Sequence, residues 1–249
     1  MGSPLESTTQ SGAGVTRRPD LVRMANTEMR KLVPFFVTAC IYIVIGHVSS
    51  IPLWMKGLSK VLPIICLCIF ILENGKQFVH HHHSVRKLLV GLFFSAMGDA
   101  LLLVDNQAIF IGGAAMFALA HCTYTWAFGF KPLNLQAGGL VAVAVILGLT
   151  FLGMCSNLYD VLLLSCYCTL IGLMAWRANA EILFHHQWPP AKLTGAIGAW
   201  LFMVSDLTLA TNLLCFPVPF QTIIVMTTYY AAQLLITLAI VRDNKNKSD

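Results

Sequence analysis

Apolar stretches about as long as a bilayer is thick recur along this chain, with only short polar gaps between them. A helix needs about 20 predominantly apolar residues to cross the hydrocarbon. It is suited to do so because it pairs every backbone amide and carbonyl within its own segment. Eight stretches meet or approach that length: Leu32–Ser49, Gly57–Glu73, Arg86–Val104, Gln107–Phe128, Leu135–Met154, Tyr159–Ile182, Ala191–Leu214 and Pro219–Val241. The chain is 57% hydrophobic and 11% charged, which excludes an ordinary soluble domain. The expected fold is an all-α polytopic membrane protein, one bundle of eight transmembrane helices over residues 31–242. Residues 1–30 read as a disordered cytoplasmic tail and 243–249 as a short cytoplasmic C-terminal tail. No apolar core lies in the first thirty residues, so no cleavable signal peptide is expected.

Charge sets the orientation. With a cytoplasmic N-terminus, 14 of the 16 basic residues fall on that side, leaving only Lys56 and Lys60 on the other. The positive-inside rule reads such an asymmetry directly, and both termini are then cytoplasmic. The net charge of +5 reflects topology and anionic headgroups, not nucleic acid. The eight cysteines lie almost wholly inside spans and read as small apolar packing residues. Cys155 and Cys215 fall near non-cytoplasmic ends and could pair. The run His80–His83 reads as a solvated loop, because no cysteine or carboxylate completes a coordination set. No metal and no cofactor are expected.

Two aspartates stand inside apolar runs, Asp99 in Leu88–Leu103 and Asp206 in Ala199–Ala210. A carboxylate at mid-bilayer costs about 3 kcal/mol or more, so each is a functional candidate by default. Each follows a small residue, Gly98 or Ser205, in spans that run the same way. That hints at a parallel repeat of four plus four helices with a site at its interface. At 1.5 Å per residue both aspartates lie about 20 Å from the cytoplasmic ends of their spans. Lys60 enters from the other face at a similar height. A structural ion pair with Lys60 accounts for one carboxylate and leaves the second unexplained. Other polar residues of the spans are Ser95, His121, Tyr124, Asn212, Tyr229, Tyr230 and Gln233. Each could equally be interhelical glue.

Two carboxyls held close together cannot both ionise cheaply, so the pair is expected to share a proton and act as acid and base. Such pairs serve reactions through oxocarbenium-like cations. In a membrane, the fitting substrate is a lipid with an acid-labile ether bond. No Gly-x-Ser-x-Gly or His-Glu-x-x-His motif supports a serine or zinc hydrolase. The alternative is a proton-coupled lipid transporter or flippase using the aspartates as a relay.

Lys60-x-x-Pro63, Ser95–Leu102, His121-x-x-Tyr124, Ser205-Asp-Leu-Thr208 and Tyr229-Tyr-Ala-Ala-Gln233 resemble the lysoplasmalogenase (YhhN-type) family of transmembrane proteins. The resemblance runs from about Arg18 to the C-terminus. Tyr124–Pro132 and Met226–Leu238 look most like the vertebrate B paralogue, while Asn212 looks like the A paralogue. The resemblance implies metal-free hydrolysis of the vinyl ether bond of lysoplasmalogens, in the endoplasmic reticulum or a related internal membrane. The implied partners are a lysophospholipid substrate with a vinyl ether chain and membrane lipids, with a homodimer left open. Asp99 and Asp206 are expected to share the acid and base roles. Lys60 would hold the lipid phosphate or tune a carboxylate. His121, Tyr124, Tyr229, Tyr230 and Gln233 would orient water, headgroup or aspartates.

Overall fold

The structure, a computed structural model, describes residues 17–46, 51–184 and 188–247, with side chains from Glu28 onward. Among the described residues it is all helix: α1 (Arg17–Ile45), α2 (Leu53–Leu72), α3 (Lys76–His81), α4 (His83–Leu101), α5 (Gln107–Phe128), α6 (Leu135–Gly153), α7 (Leu158–Asn179), α8 (Pro190–Leu214) and α9 (Gln221–Lys245). Six of these, α2 and α5 to α9, are long and apolar enough to cross a bilayer. Helix α4 dilutes its apolar character with Arg86, Lys87 and Asp99 in 19 residues. The chain is a polytopic helical membrane protein. The expected tail falls partly outside the described residues, and its part from Arg17 onward forms the first turns of α1.

Local chemistry places the helix ends. Asn106, Asn134 and Asn157 each precede a helix and accept backbone N–H bonds from its first turn. The histidine run is not a plain loop: His80 and His81 end α3, and His83 begins α4. His82 links the two, its ring packed on Phe78 at 4.6 Å.

Helices α4, α5, α7, α8 and α9 pack in sequence around a ring that closes where α9 meets α4. Outside it, α2 lies on α4 and α9, α1 on α2 and α9, and α6 on α7 and α8. Small residues bring the ring helices close, as is usual between membrane helices. A Cβ on Gly98 would stand 2.7 Å from the Phe117 ring and 3.1 Å from the Gly113 carbonyl, so α4 and α5 meet at that point. Gly198 does the same between α8 and α9, where a Cβ would stand 3.0 Å from Leu235 Cβ and 3.1 Å from the Ala232 carbonyl.

The two ends of the bundle differ in chemistry. At one, Lys192 bonds Glu181 and Asp243 at 2.9 and 3.2 Å, and Arg242 and Lys245 hold Glu28 at 3.2 and 2.8 Å. At the other, Cys155 and Cys215 form a disulfide with Cα atoms 5.1 Å apart, joining the end of α6 to the end of α8. The pairing that the sequence left open is made.

Candidate active site

Counted from His83 and Pro190, Asp99 and Asp206 each stand 16 places along their helices. Asp99 is 2% exposed, and both of its oxygens are occupied. Oδ1 faces the Lys60 ammonium at 3.2 Å, and Oδ2 accepts a 2.6 Å hydrogen bond from the Tyr229 hydroxyl. Lys60 is itself buried, and the Tyr230 hydroxyl donates to its carbonyl at 2.8 Å. The ammonium that could have held a lipid phosphate is thus engaged by Asp99.

Asp206 has a different shell. Its Oδ2 accepts a 2.5 Å bond from the Tyr167 hydroxyl and lies 3.6 Å from His121 Nε2. His121 Nε2 also stands 3.1 Å from the Tyr167 oxygen, and its Nδ1 faces Met174 Sδ at 3.4 Å. The Asp206 side chain keeps 20% exposure, ten times that of Asp99. Sequence reasoning missed Tyr167. The only local signal is a phenol between Cys166 and Cys168 in an apolar run, and the cysteines were read there as packing.

The aspartates share no hydrogen-bond partner among the described residues. A chain of edge-to-face rings joins their shells, from His121 to Phe202 at 4.7 Å and from Phe202 to Tyr229 at 5.5 Å. Phe117 packs on both Tyr229 and Phe202. The two aspartate helices do not pack side by side: α4 packs mainly on α5, α2 and α9, and α8 on α9 and α7.

Three expected site residues satisfy one another instead. Tyr124 donates to Gln233 Oε1 at 2.8 Å, and Gln233 Nε2 donates to Ser95 Oγ at 3.0 Å. The Ser95 hydroxyl is then left to donate to the Tyr124 oxygen, 3.1 Å away. All three residues are fully buried, and the closed ring ties α5, α9 and α4 together one turn from Asp99. Gln233→Leu is expected to cost about 1–3 kcal/mol, because it takes one of two hydrogen-bond partners from each of the buried Tyr124 and Ser95 hydroxyls. Thermal melting in detergent checks this. Unchanged melting with lost turnover would make the ring a substrate-handling group. Asn212 is not brought to the site: its Oδ1 accepts the Val218 N–H at 2.9 Å and braces the turn between α8 and α9. Among the described residues no three His, Cys, Asp or Glu side chains are grouped to hold a metal ion.

These observations define a class, a multi-pass helical membrane protein with two carboxylates set among its helices, one buried beside a tyrosine and a lysine and one part-exposed beside a tyrosine and a histidine. Within that class the chain belongs to the YhhN family, which it matches over residues 55–240. It is 42% identical over 231 residues to lysoplasmalogenase TMEM86A of Bos taurus, covering 92% of this chain and 95% of that protein. The Homo sapiens TMEM86A is 41% identical over 90% of this chain and 94% of its own length. Lysoplasmalogenase TMEM86B of Sus scrofa is 34% identical over 94% of this chain and 96% of that protein. The expected closeness to the B paralogue is therefore not what these identities show. No solved structure matches the chain.

Proposed function

We propose that this protein is a membrane-embedded lysoplasmalogenase. In this reading it hydrolyses the vinyl ether bond of lysoplasmenylethanolamine or lysoplasmenylcholine, releasing a fatty aldehyde and the glycerophospho-base. The observation that carries it is a pair of carboxylates inside an apolar bundle whose relatives bear that name across nearly their whole length. Nothing in those relatives favours the transporter reading.

The chemistry needs few parts. A carboxylic acid gives a proton to the β-carbon of the vinyl ether, and the double-bond electrons form the new C–H bond. The ether oxygen shares the positive charge left at the α-carbon, and a second carboxylate faces that cation. Water adds at the α-carbon as the carboxylate takes its proton. The hemiacetal then collapses: the carboxylate that gave the first proton takes the hydroxyl proton, the C=O bond forms as the bond from the α-carbon to the glycerol oxygen breaks, that oxygen receives the proton taken from water, and the aldehyde leaves. Asp99 and Asp206 supply acid and base together, and Lys60 is the counterion of Asp99. Tyr229 and His121 orient the two carboxylates, and Tyr230 steadies Lys60.

We further read eight crossings with both termini cytoplasmic, in the endoplasmic reticulum or a related internal membrane. The disulfide supports this orientation, because it lies at the end opposite the ion pairs of Lys192, Arg242 and Lys245, where an oxidising lumen is expected. A four-plus-four repeat also fits the shells. Each aspartate takes one partner from the preceding long helix of its own half, Lys60 or Tyr167, and one from the last helix of the other half, Tyr229 or His121.

Purified protein in detergent, given a lysoplasmalogen and no gradient, is expected to release one aldehyde per lipid consumed. Movement of intact lipid across a vesicle wall with no aldehyde would overturn the enzyme reading.

A further inference from the structure

The two carboxylates are not equivalent, and the difference lies in which oxygens remain available. Asp99 has a cation on Oδ1 and a phenol donating to Oδ2, so each of its oxygens already accepts from a protein donor. Asp206 has Tyr167 and His121 both on Oδ2, and its Oδ1 has no hydrogen-bond partner among the described residues. A protonated carboxyl has one good acceptor, its carbonyl oxygen, while its hydroxyl oxygen accepts poorly. A phenol donating to Oδ2 therefore makes Oδ2 the carbonyl and places the acidic hydrogen on Oδ1.

We propose that Tyr167 is a positioning residue of the reaction, one that fixes the transferable proton of Asp206 on its open oxygen Oδ1 and so makes Asp206 the acid and Asp99 the standing carboxylate. This rests on the vinyl ether hydrolase reading. Once Asp206 has delivered its proton, the Tyr167 hydroxyl still donates to Oδ2. It then stabilises the new carboxylate through a short charge-assisted bond. His121 Nε2 lies within reach of the phenol oxygen, so an N–H there orients the phenol toward Asp206. The step balances: the O–H bond at Oδ1 and the π bond of the vinyl ether break, the C–H bond at the β-carbon forms, and a carboxylate on Asp206 and an oxocarbenium ion on the lipid are left facing each other. The same design appears at Asp99 with Tyr229, but there Lys60 takes the oxygen that Asp206 keeps open.

The test is Tyr167→Phe, which removes one oxygen and keeps the ring that packs against His121 at 5.4 Å. Wild type is assayed first for aldehyde release, and an inactive wild type sinks the hydrolase reading itself rather than this assignment. With an active wild type, Tyr167→Phe is expected to lower kcat about 10- to 100-fold with KM changed less than about threefold. The pH profile of kcat should move, since the acid loses its donor. The titratable groups in contact with Asp206 are His121 from α5 and Tyr167 from α7. The solvent deuterium effect on kcat should persist or grow, because proton transfer to carbon becomes more limiting. A variant that melts lower, yet keeps wild-type kcat per folded molecule and an unmoved pH profile, would reduce Tyr167 to packing. An Asp206→Asn enzyme that keeps substantial turnover, while Asp99→Asn loses it, would overturn the assignment of the acid.

Discussion

Replacing Asp206 by asparagine is expected to remove aldehyde release by about 10²–10⁴-fold, the usual range for a general acid or base, while the protein stays folded. Asparagine keeps the shape and still accepts the Tyr167 hydrogen bond, but it can neither deliver a proton at neutral pH nor act as a carboxylate. Asp99→Asn should lose activity to a similar extent, but it also strands the buried Lys60 ammonium at 3.2 Å and should melt lower. The Asp206 variant is therefore the cleaner probe of chemistry. If the two act as one unit, the double variant should turn over little more slowly than the slower single variant. Specific activity and melting temperature on the same preparations decide the matter. A loss of only a few-fold at either position would remove that residue from the mechanism.

Much of the architecture was legible in the chain because membrane helices announce themselves by length and apolarity. The fourth expected span, Gln107–Phe128, is α5 to the residue, since Asn106 caps its start and Gly129, at φ 85°, ends it. The matched register of the two aspartates was legible too, since both stand at the same place along their helices. Azimuth was not. A span carries weak amphipathic information when lipid and protein interior are both apolar, so no pattern said that α4 turns toward α2 and α9 rather than α8. The same blindness hid Tyr167, whose partner lies 39 positions away on another helix. It also grouped His121 with Tyr124. Three residues apart on α5, they serve different clusters: His121 joins Asp206, while Tyr124 closes the ring with Ser95 and Gln233. Asn212 misled for the opposite reason, being close to Asp206 along the chain but far enough along α8 to reach the turn.

Lys60 offers the sharpest separation of structural from catalytic roles. Its ammonium is buried and faces a carboxylate that is more buried still. Removing one member of such a pair leaves an uncompensated charge in a low-dielectric interior, at a cost of about 3–5 kcal/mol. Lys60→Met should therefore lower the melting temperature and yield steeply, although methionine is apolar and of similar length. Lys60→Met combined with Asp99→Asn removes both charges together. It should recover most of the lost stability, because an apolar replacement of a buried pair is often neutral or stabilising. It should not recover turnover, because the standing carboxylate is gone. A coupling of that sign between the two substitutions, read by thermal melting of the two singles and the double, identifies the Lys60–Asp99 contact as an ion pair in the membrane-embedded protein. The competing role predicts a different pattern. A lysine that bound the lipid phosphate would leave melting unchanged, raise KM for lipids that carry the phosphate, and show no coupling to Asp99.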